Sequence, residues 1–539
     1  MEREEVFTII AILAITCLGL FARYAPYGGS IIHNFPATIA AGDPNSRLSE
    51  AEYVLESGSA KFMPPWFTGE KDLLTTQPPL NLILAAMVAG ASGIKVFDTL
   101  YLDAVLASIG VALCFFVLFS RIFKNKTLGL VAATALIYPL EEFFSYQINI
   151  GMYANYSTIL FYPIILLFAY EFSSKPTWPN AFLLALGFAM QFLMHSSEAV
   201  IFGAAVGSYL LIFERKSIGW KKLIGAGIIF AVLILPYIPI LYSNFVIGNF
   251  GGQETSIFQG KEIIAPSYEP QIFLTNVVHP ALYLFLLLAV ILTWKKKEYR
   301  FLNYIFFFYI FVIFILAKFG IGTYYVTIRT RPIFFVFAYP LVAIGLYTFA
   351  SSIRKFIPVK KEIFFAAFVM LLIIGQGYFV SSIQPRQGIF TEDSYKGFQW
   401  IRQNTPEDSR VLCFGCQQFE GLTMHRVVAQ PMYWDERSVN QMLGFAGNST
   451  NTSLWLELCG YSDLRLAKKG LFGFETRGII GYHESDICGF DYFIIKPYGN
   501  AGSMLVQIGQ RLLNNNATQL YSNSQMVVLK NNNKGGKCI

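Results

Sequence analysis

Charge is scarce in this chain. Only 14% of its 539 residues are Asp, Glu, Lys or Arg, against about 25% in soluble domains. Hydrophobic residues make up 54%, and the mean hydropathy is +0.48. The shortage excludes an ordinary soluble domain. Long apolar runs recurring between Phe7 and Val380 point instead to a polytopic membrane protein. An internal repeat is also missing, which argues against the transporters built from inverted repeats. No small-residue cleavage site follows the apolar run 6–21 before Asp43, so that run reads as a retained first span. The formal charge of +7 does not indicate nucleic acid, because the basic residues gather in loops where membrane orientation explains them.

What is present divides in two. Residues 1–383 read as membrane-embedded, and residues 384–539 are polar, rich in Asn, Gly and Ser, and hold no span. Within the second part, 396–402 reads as a short amphipathic helix stopped near Pro406, and 410–414, 491–496 and 524–530 read as strands. A small α/β domain follows. Residues 531–537 read as a frayed tail. The expected fold is therefore a polytopic α-helical membrane protein of about 11–13 membrane helices with a small C-terminal α/β domain.

Orientation follows from Lys and Arg. The basic stretches 121–126, 215–222, 295–300 and 354–361 belong on the cytoplasmic side. The apolar segments between them then pair off, near 128–140, 157–172, 179–195, 198–214, 223–243, 277–294, 301–317, 332–350 and 362–383. This register places 141–156, 195–198, 244–276, 318–331 and the C-terminal domain outside, where four of the five Asn-x-Ser/Thr triplets, at Asn155, Asn448, Asn451 and Asn516, also fall. One conflict remains. The run 79–94 is too short for a full crossing if 6–21 spans from an inner N-terminus. It is then re-entrant or interfacial, and 22–78 is an external loop. If it crosses, the loop and the N-terminus exchange sides.

Ionisable groups at the outer face are the candidates for chemistry. Asp43 stands between Gly42 and Pro44 in the polar stretch 41–60. It is either a directed carboxylate or an Asx-turn or helix cap. Glu141 and Glu142 follow Pro139 at the outer end of a span, with no Lys or Arg between Lys126 and Lys175 to neutralise them. They suit a metal or an acceptor; the alternative is a solvated helix end. His195 and Glu198 share a helix side if the turn is continuous, and either ligate or titrate, or bond to each other between packed spans. Arg329 and Arg331 lie where orientation disfavours basic residues, and a guanidinium fork suits phosphate oxygens. Snorkelling or a salt bridge to the outer domain is the alternative. Lys318 is a weaker helper.

Cys17 and Cys114 fall in spans. Cys413, Cys416, Cys459, Cys488 and Cys538 fall in the outer domain, where disulfides are favoured. A single Cys-x-x-Cys is half a zinc ribbon, and four cysteines allow three connectivities. A zinc site with His425 or His483 is the lesser option, and Cys538 reads as free.

An acid-bearing loop after the first span, the helix 49–58, and then Gln77-Pro78-Pro79-Leu80 resemble the GT-C superfamily of integral-membrane glycosyltransferases. That superfamily includes protein O-mannosyltransferases, aminoarabinose transferases and oligosaccharyltransferase catalytic subunits. The stretch 400–409 also resembles the segment opening the extracytoplasmic domain in such families. The resemblance implies a sugar moved from a polyprenyl (dolichyl-type) phosphate carrier to a glycan, lipid or protein acceptor at the outer face of the cell membrane. It implies Asp43 as general base, Arg329 and Arg331 as donor-phosphate ligands, and Glu141, Glu142, His195 and Glu198 as acceptor- or metal-positioning groups. A divalent metal is left open. Two departures stand: the family often has two acids where this chain has Asp43 alone, and Trp-Trp-Asp-Tyr-Gly is absent, 433–435 being a poor substitute. Both argue against peptide-Asn glycosylation and an obligatory metal. The rivals are an oligosaccharyltransferase or glycan ligase, a transporter, and a non-catalytic scaffold of the cell envelope.

Overall fold

Eleven-residue and longer apolar runs fold here as helices, and what each packs against decides whether it crosses. The computed structural model describes residues 3–39, 42–69, 71–75, 78–137, 153–216, 218–242, 282–294, 296–312, 324–381, 390–416, 420–431, 453–458, 465–467, 475–477, 482–497 and 502–534. Helix α1 (Arg3–Tyr24) carries Glu4 and Glu5 in its first turn and Arg23 in its last, in the sense that suits its dipole. Then come α2 (Gly42–Ser57), α3 (Leu80–Ser92), α4 (Val96–Ile122), α5 (Lys126–Ala135), α6 (Tyr153–Thr158), α7 (Phe161–Ser174), α8 (Trp178–Met194), α9 (Ser196–Phe213), α10 (Trp220–Ile234) and α11 (Ile238–Tyr242). Helices α12 (Tyr283–Thr293), α13 (Lys297–Ile310), α14 (Tyr324–Ile353) and α15 (Lys361–Ser381) complete the bundle. Seven described helices are long and apolar enough to cross a bilayer, and three shorter apolar ones accompany them. Ile224, Ile291 and Leu371 point outward as lipid-facing side chains do.

The four basic stretches meet at one end of the bundle. Phe123 stacks on Tyr299 at 4.1 Å, Arg300 lies over the Phe213 ring, and Asn125 donates to the Tyr347 hydroxyl at 2.8 Å. Arg121 pairs with Glu171 at the same end, 2.9 Å apart. Helix α3 resolves the conflict in the hydropathy. Its 13 residues extend about 20 Å, short of the roughly 30 Å hydrocarbon core. It does not cross; Leu82, Ala85, Ala86 and Ala89 enter a core shared with Phe390, Phe398 and Ile401. The first loop and the C-terminal region therefore pack on the same side, opposite the basic end.

The C-terminal region is a seven-stranded sheet in the order β6-β3-β2-β1-β7-β9-β8. Its strands are β1 (Arg410–Phe414), β2 (Val427–Pro431), β3 (Ser453–Leu458), β6 (Tyr482–Asp486), β7 (Tyr492–Ile495), β8 (Ala517–Ser522) and β9 (Val527–Asn531); β4 (Arg465–Ala467) and β5 (Glu475–Arg477) pair separately. β1 is parallel to β2 and β7; every other pairing is antiparallel. Strand alternation assigns the two faces. Val411 and Cys413 face α16 (Glu392–Asn404) and the first loop. Leu412 and Phe414 face α17 (Gly502–Asn514), through Leu505, Ile508 and Leu512. Thr391 and Ser394 close a capping box on α16.

The two regions share one hydrophobic core, and the expected junction near 383 falls in 382–389, outside the described residues. The expected tail is ordered through 534: Asn531 donates to the carbonyls of Cys488 and Phe490, and Lys534 pairs with Asp491 at 2.7 Å. Cys413 and Cys416 form a disulfide, which removes them as zinc ligands. Cys488 is also disulfide-bonded; Cys459 and Cys538 lie outside the described residues.

Candidate functional site

The polar stretch of the first loop folds as α2, and its charges reach the C-terminal sheet. Glu52 and Glu56, one turn apart, accept from Arg402 of α16 at 3.3 and 2.6 Å. His425 Nε2 lies 2.6 Å from Glu52. Its ring stacks on Trp66, centroids 3.9 Å apart, and the Trp66 indole donates to Ser49 at 2.7 Å. His425 takes a left-handed backbone with φ 51, a strained state for a residue with a Cβ. The turn 420–424 before it is fixed by the buried Glu420–Lys496 pair. Arg426 is buried and donates to Thr405 Oγ1 and to the carbonyls of Arg402, Thr405 and His425, tying down the end of α16. Burial pulls the Arg426 guanidinium below its ordinary pKa. Burial, and then the Glu52 carboxylate, push the Tyr395 phenol up. Next to this seam lies a cavity of about 900 Å³, bordered by Tyr53, Trp66, Lys71, Asp408 and His425.

The expected site residues divide by placement. Asp43 sits in the first turn of α2 rather than in a turn before it, and its position is set by the backbone alone. Arg329 and Arg331 fall in the first two turns of α14, again by backbone alone. Since α14 ends at the basic stretch 354–361, its start lies at the opposite end, about 45 Å away at 1.5 Å per residue. Glu141, Glu142 and Lys318 lie outside the described residues. His195 and Glu198 are both buried but do not share a continuous turn. His195 ends α8 in an extended conformation, φ −158, and α9 starts after it. Its ring lies 3.2 Å from the Ser197 hydroxyl, while Glu198 accepts from the Tyr162 hydroxyl on α7 at 2.5 Å. Among the described residues no three His, Cys, Asp or Glu gather as metal ligands would.

The structure adds groups at this end that the sequence reading passed over. His33 and Asp98 are buried together, Nδ1 to Oδ1 2.7 Å, with the His33 amide also donating to Asp98 at 2.9 Å. Asp103, about a turn and a half further along α4, accepts from Asn81 at 2.6 Å and Ser157 at 3.0 Å. Asn81 directly follows Pro78-Pro79-Leu80, so that motif anchors α3 to α4. Arg47, one turn beyond Asp43, is 8% exposed. The signal for Asp98 and Asp103 was present: two acids near the start of a long apolar helix. Within the membrane region an apolar groove of about 370 Å³ runs between α8, α9 and α10, past Phe192, Ala199, Gly203, Gly207 and Gly227.

Comparison with known proteins bears on this arrangement. The model of a family of unknown function, DUF6541, matches residues 5–412, and the chain belongs to that family. Among curated proteins no sequence matches it significantly. In fold it is similar to ArnT from Cupriavidus metallidurans in the apo state, with a TM-score of 0.56 at 10% identity over 97% of both chains. The same protein bound to undecaprenyl phosphate gives 0.54 at 10% identity, over 97% of this chain and 98% of that one. The arabinofuranosyltransferase AftD from Mycobacteria gives 0.54 at 11% identity, covering 98% of this chain and 40% of AftD. The apo oligosaccharyltransferase from Archaeoglobus fulgidus gives 0.50 at 13% identity, over 79% of this chain and 64% of that one. All are GT-C glycosyltransferases. The chain has the GT-C fold.

Proposed function

From membership of that family and a GT-C scaffold as premise, we propose a membrane glycosyltransferase that takes a sugar from a polyprenyl (dolichyl-type) phosphate and passes it to a glycan, lipid or protein acceptor. The reading is supported by the end of the bundle opposite the basic stretches: the helix carrying Arg329 and Arg331 starts away from its basic end, the turn at His195 lies away from the basic stretch 215–222, and α2, which carries Asp43, packs with the C-terminal sheet. The sheet packs over the same end, and the apolar groove runs toward it beside Phe192 and Ala199. A lipid phosphate donor needs such a meeting of hydrocarbon, cation and carboxylate. The ArnT structure with undecaprenyl phosphate supports a donor of that kind here.

The chemistry is a displacement at the anomeric carbon. The acceptor hydroxyl oxygen bonds to that carbon as the bond from carbon to the phosphate oxygen breaks. Asp43 takes the hydroxyl proton. The departing phosphate gains charge, and Arg329 and Arg331 stabilise it. Glu141, Glu142, His195 and Glu198 position the acceptor. His195 and Glu198 already bond to Ser197 and Tyr162, which fits positioning better than metal ligation, and no step here uses a metal. The cavity beside Trp66 gives room for an extended acceptor. Basic stretches on the cytoplasmic side and the Cys413–Cys416 disulfide support an extracytoplasmic site.

The test is transfer by the purified protein from a panel of labelled polyprenyl-phosphate sugars, with diphosphate-linked donors in parallel. Transfer from a monophosphate donor is expected. Transfer from diphosphate donors alone would replace the reading with a ligase or oligosaccharyltransferase. No transfer from any donor would leave the transporter or scaffold.

A further inference from the structure

A separate cavity lies at the other end of the bundle, among the basic stretches and away from Asp43. Its volume is about 340 Å³, within the range of small-molecule sites. Helices α7, α9 and α13 enclose it, and Tyr170, Ser173, Tyr209, Glu214, Phe301 and Ile305 are in its lining. Arg215 and Lys216 follow Glu214 directly and are exposed. With 295–300 also beside it, the cavity sits at the depth of the cytoplasmic headgroups.

Glu214 gives the cavity its sign. It is 7% exposed and ends α9, its amide bonded to the Leu210 carbonyl. A carboxylate there meets the negative end of the helix dipole and is costly to bury. The Tyr209 hydroxyl donates to it at 3.4 Å, a hydrogen bond that leaves the charge in place. Arg300 lies over the Phe213 ring, 5.5 Å from its centroid. Aromatic rings fix the wall: Tyr209 rests against Phe213, Phe301 and Tyr304 at 5.4, 6.4 and 5.7 Å, and Tyr304 donates to Ser208 at 2.8 Å. A buried carboxylate between aromatic walls selects a cation. Oxygen acceptors border the same space: the Glu214 carboxylate, the Tyr209 hydroxyl and the Ser173 hydroxyl, which sends its own proton to the Tyr170 carbonyl. An alkylammonium brings three N–H donors to match them. The exposed Arg215 and Lys216 suit an anion attached to that ammonium.

We propose that this cavity binds the primary-ammonium headgroup of a zwitterionic phospholipid of the cytoplasmic leaflet, with the ammonium on Glu214 and the phosphate toward Arg215 and Lys216. The site is separate from the transfer chemistry and does not rest on that reading. A bound headgroup joins α7, α9 and α13 at the cytoplasmic end.

The experiment uses the full-length protein in nanodiscs of mixed phosphatidylethanolamine, phosphatidylcholine and phosphatidylglycerol, with retained lipid read by native mass spectrometry. Wild type is expected to prefer phosphatidylethanolamine about tenfold over phosphatidylcholine, whose ammonium has no N–H, and over anionic phosphatidylglycerol. N-acyl-phosphatidylethanolamine, which lacks the ammonium, should be lost likewise. Glu214→Gln is expected to lower retention of phosphatidylethanolamine about ten- to a hundredfold. Glu171→Gln, at the nearby pair with Arg121, should leave it unchanged. In discs free of that lipid Glu214→Gln should melt no lower than wild type, and adding the lipid should raise the wild-type midpoint alone. Equal retention of the three lipids by wild type, undiminished selectivity in Glu214→Gln, or a lower lipid-free midpoint for that variant overturns the site. If Glu214→Gln fails to insert, the wild-type contrast between phosphatidylethanolamine and its N-acyl form decides alone. Free phosphoethanolamine that displaces the lipid at equal concentration keeps the ammonium site and removes the lipid as its occupant.

Discussion

The two halves of α2 handle charge in opposite ways. Toward its end, Glu52 and Glu56 meet Arg402 and His425, every charge within hydrogen-bonding reach of an opposite one or a ring. Toward its start, Arg47 is buried with Nη1 unpartnered, one turn from Asp43. Paired charge holds the loop to the sheet, and Arg47 stands outside that network. On the proposed reading the same stretch of polar sequence is clasp at one end and chemistry at the other, and substitutions along it should separate the two.

The largest effect belongs to the chemical end. Asp43→Asn keeps the shape of the side chain and removes the proposed base. Transfer should fall about 10²- to 10⁴-fold, with the thermal midpoint unchanged. Full activity in a normally inserted protein would take the base away from Asp43.

The clasp is reached next through its support. Gly415 has φ +88, and a Cβ there would come 2.0 Å from the Lys496 carbonyl oxygen. Both faults act on the segment that holds the Glu420–Lys496 pair beneath His425. Gly415→Ala should cost more than about 3 kcal/mol, read as a loss of folded yield and a lower midpoint. A variant with wild-type stability would mean that the loop relaxes freely and that the clasp does not depend on it.

Direct attack on the clasp should be milder. Arg402→Ala and Glu52→Ala should each lower stability by about 1–3 kcal/mol, and the double variant by less than their sum. Activity should fall only as folded protein is lost. Additive effects would show that the pair is uncoupled, and a large activity loss at unchanged stability would move this end of α2 into the chemistry.

The contrast also explains what could be read in advance. The bundle was legible because each apolar run needs a helix and each basic stretch needs one side; observed helices overlap the expected spans from 128–140 to 362–383. Helix α3 was not decidable from hydropathy, since its neighbours decide it: Leu82 and Ala86 pack against a core built from residues more than three hundred positions later. The amphipathic helix at 396–402 was visible, though its start at Glu392 depends on the Thr391 cap. Helix α17 was missed despite Leu505, Ile508 and Leu512 at helical spacing. Strand β6, with His483 and Glu484, gave no apolar signal, and strand β3 was missed despite Leu454, Trp455, Leu456 and Leu458. The site fared worse. Asp43 and the arginines were singled out as residue types at a membrane face. Glu52 with His425, and His33 with Asp98, join positions with no local relation, and only the fold brings them together.

The smallest effect concerns the groove rather than α2, and it tests whether the groove serves a lipid tail. Gly207 and Gly227 border the groove on α9 and α10, and a Cβ at either would meet nothing within 4 Å. A side chain at Gly207 therefore starts in open space, and leucine improves helix propensity by up to about 1 kcal/mol, so Gly207→Leu should fold at least as well as wild type. Its side chain would fill space that an isoprenoid tail needs. Burial of each CH₂ is worth about 0.8 kcal/mol, so losing two such contacts raises the donor KM about tenfold. The maximal rate should hold, because Asp43 and the start of α2 are untouched. A short-chain donor that never reaches the groove should be indifferent to the change. Equal KM values for the long-chain donor in Gly207→Leu, Gly227→Leu and wild type would place the tail elsewhere on the bundle.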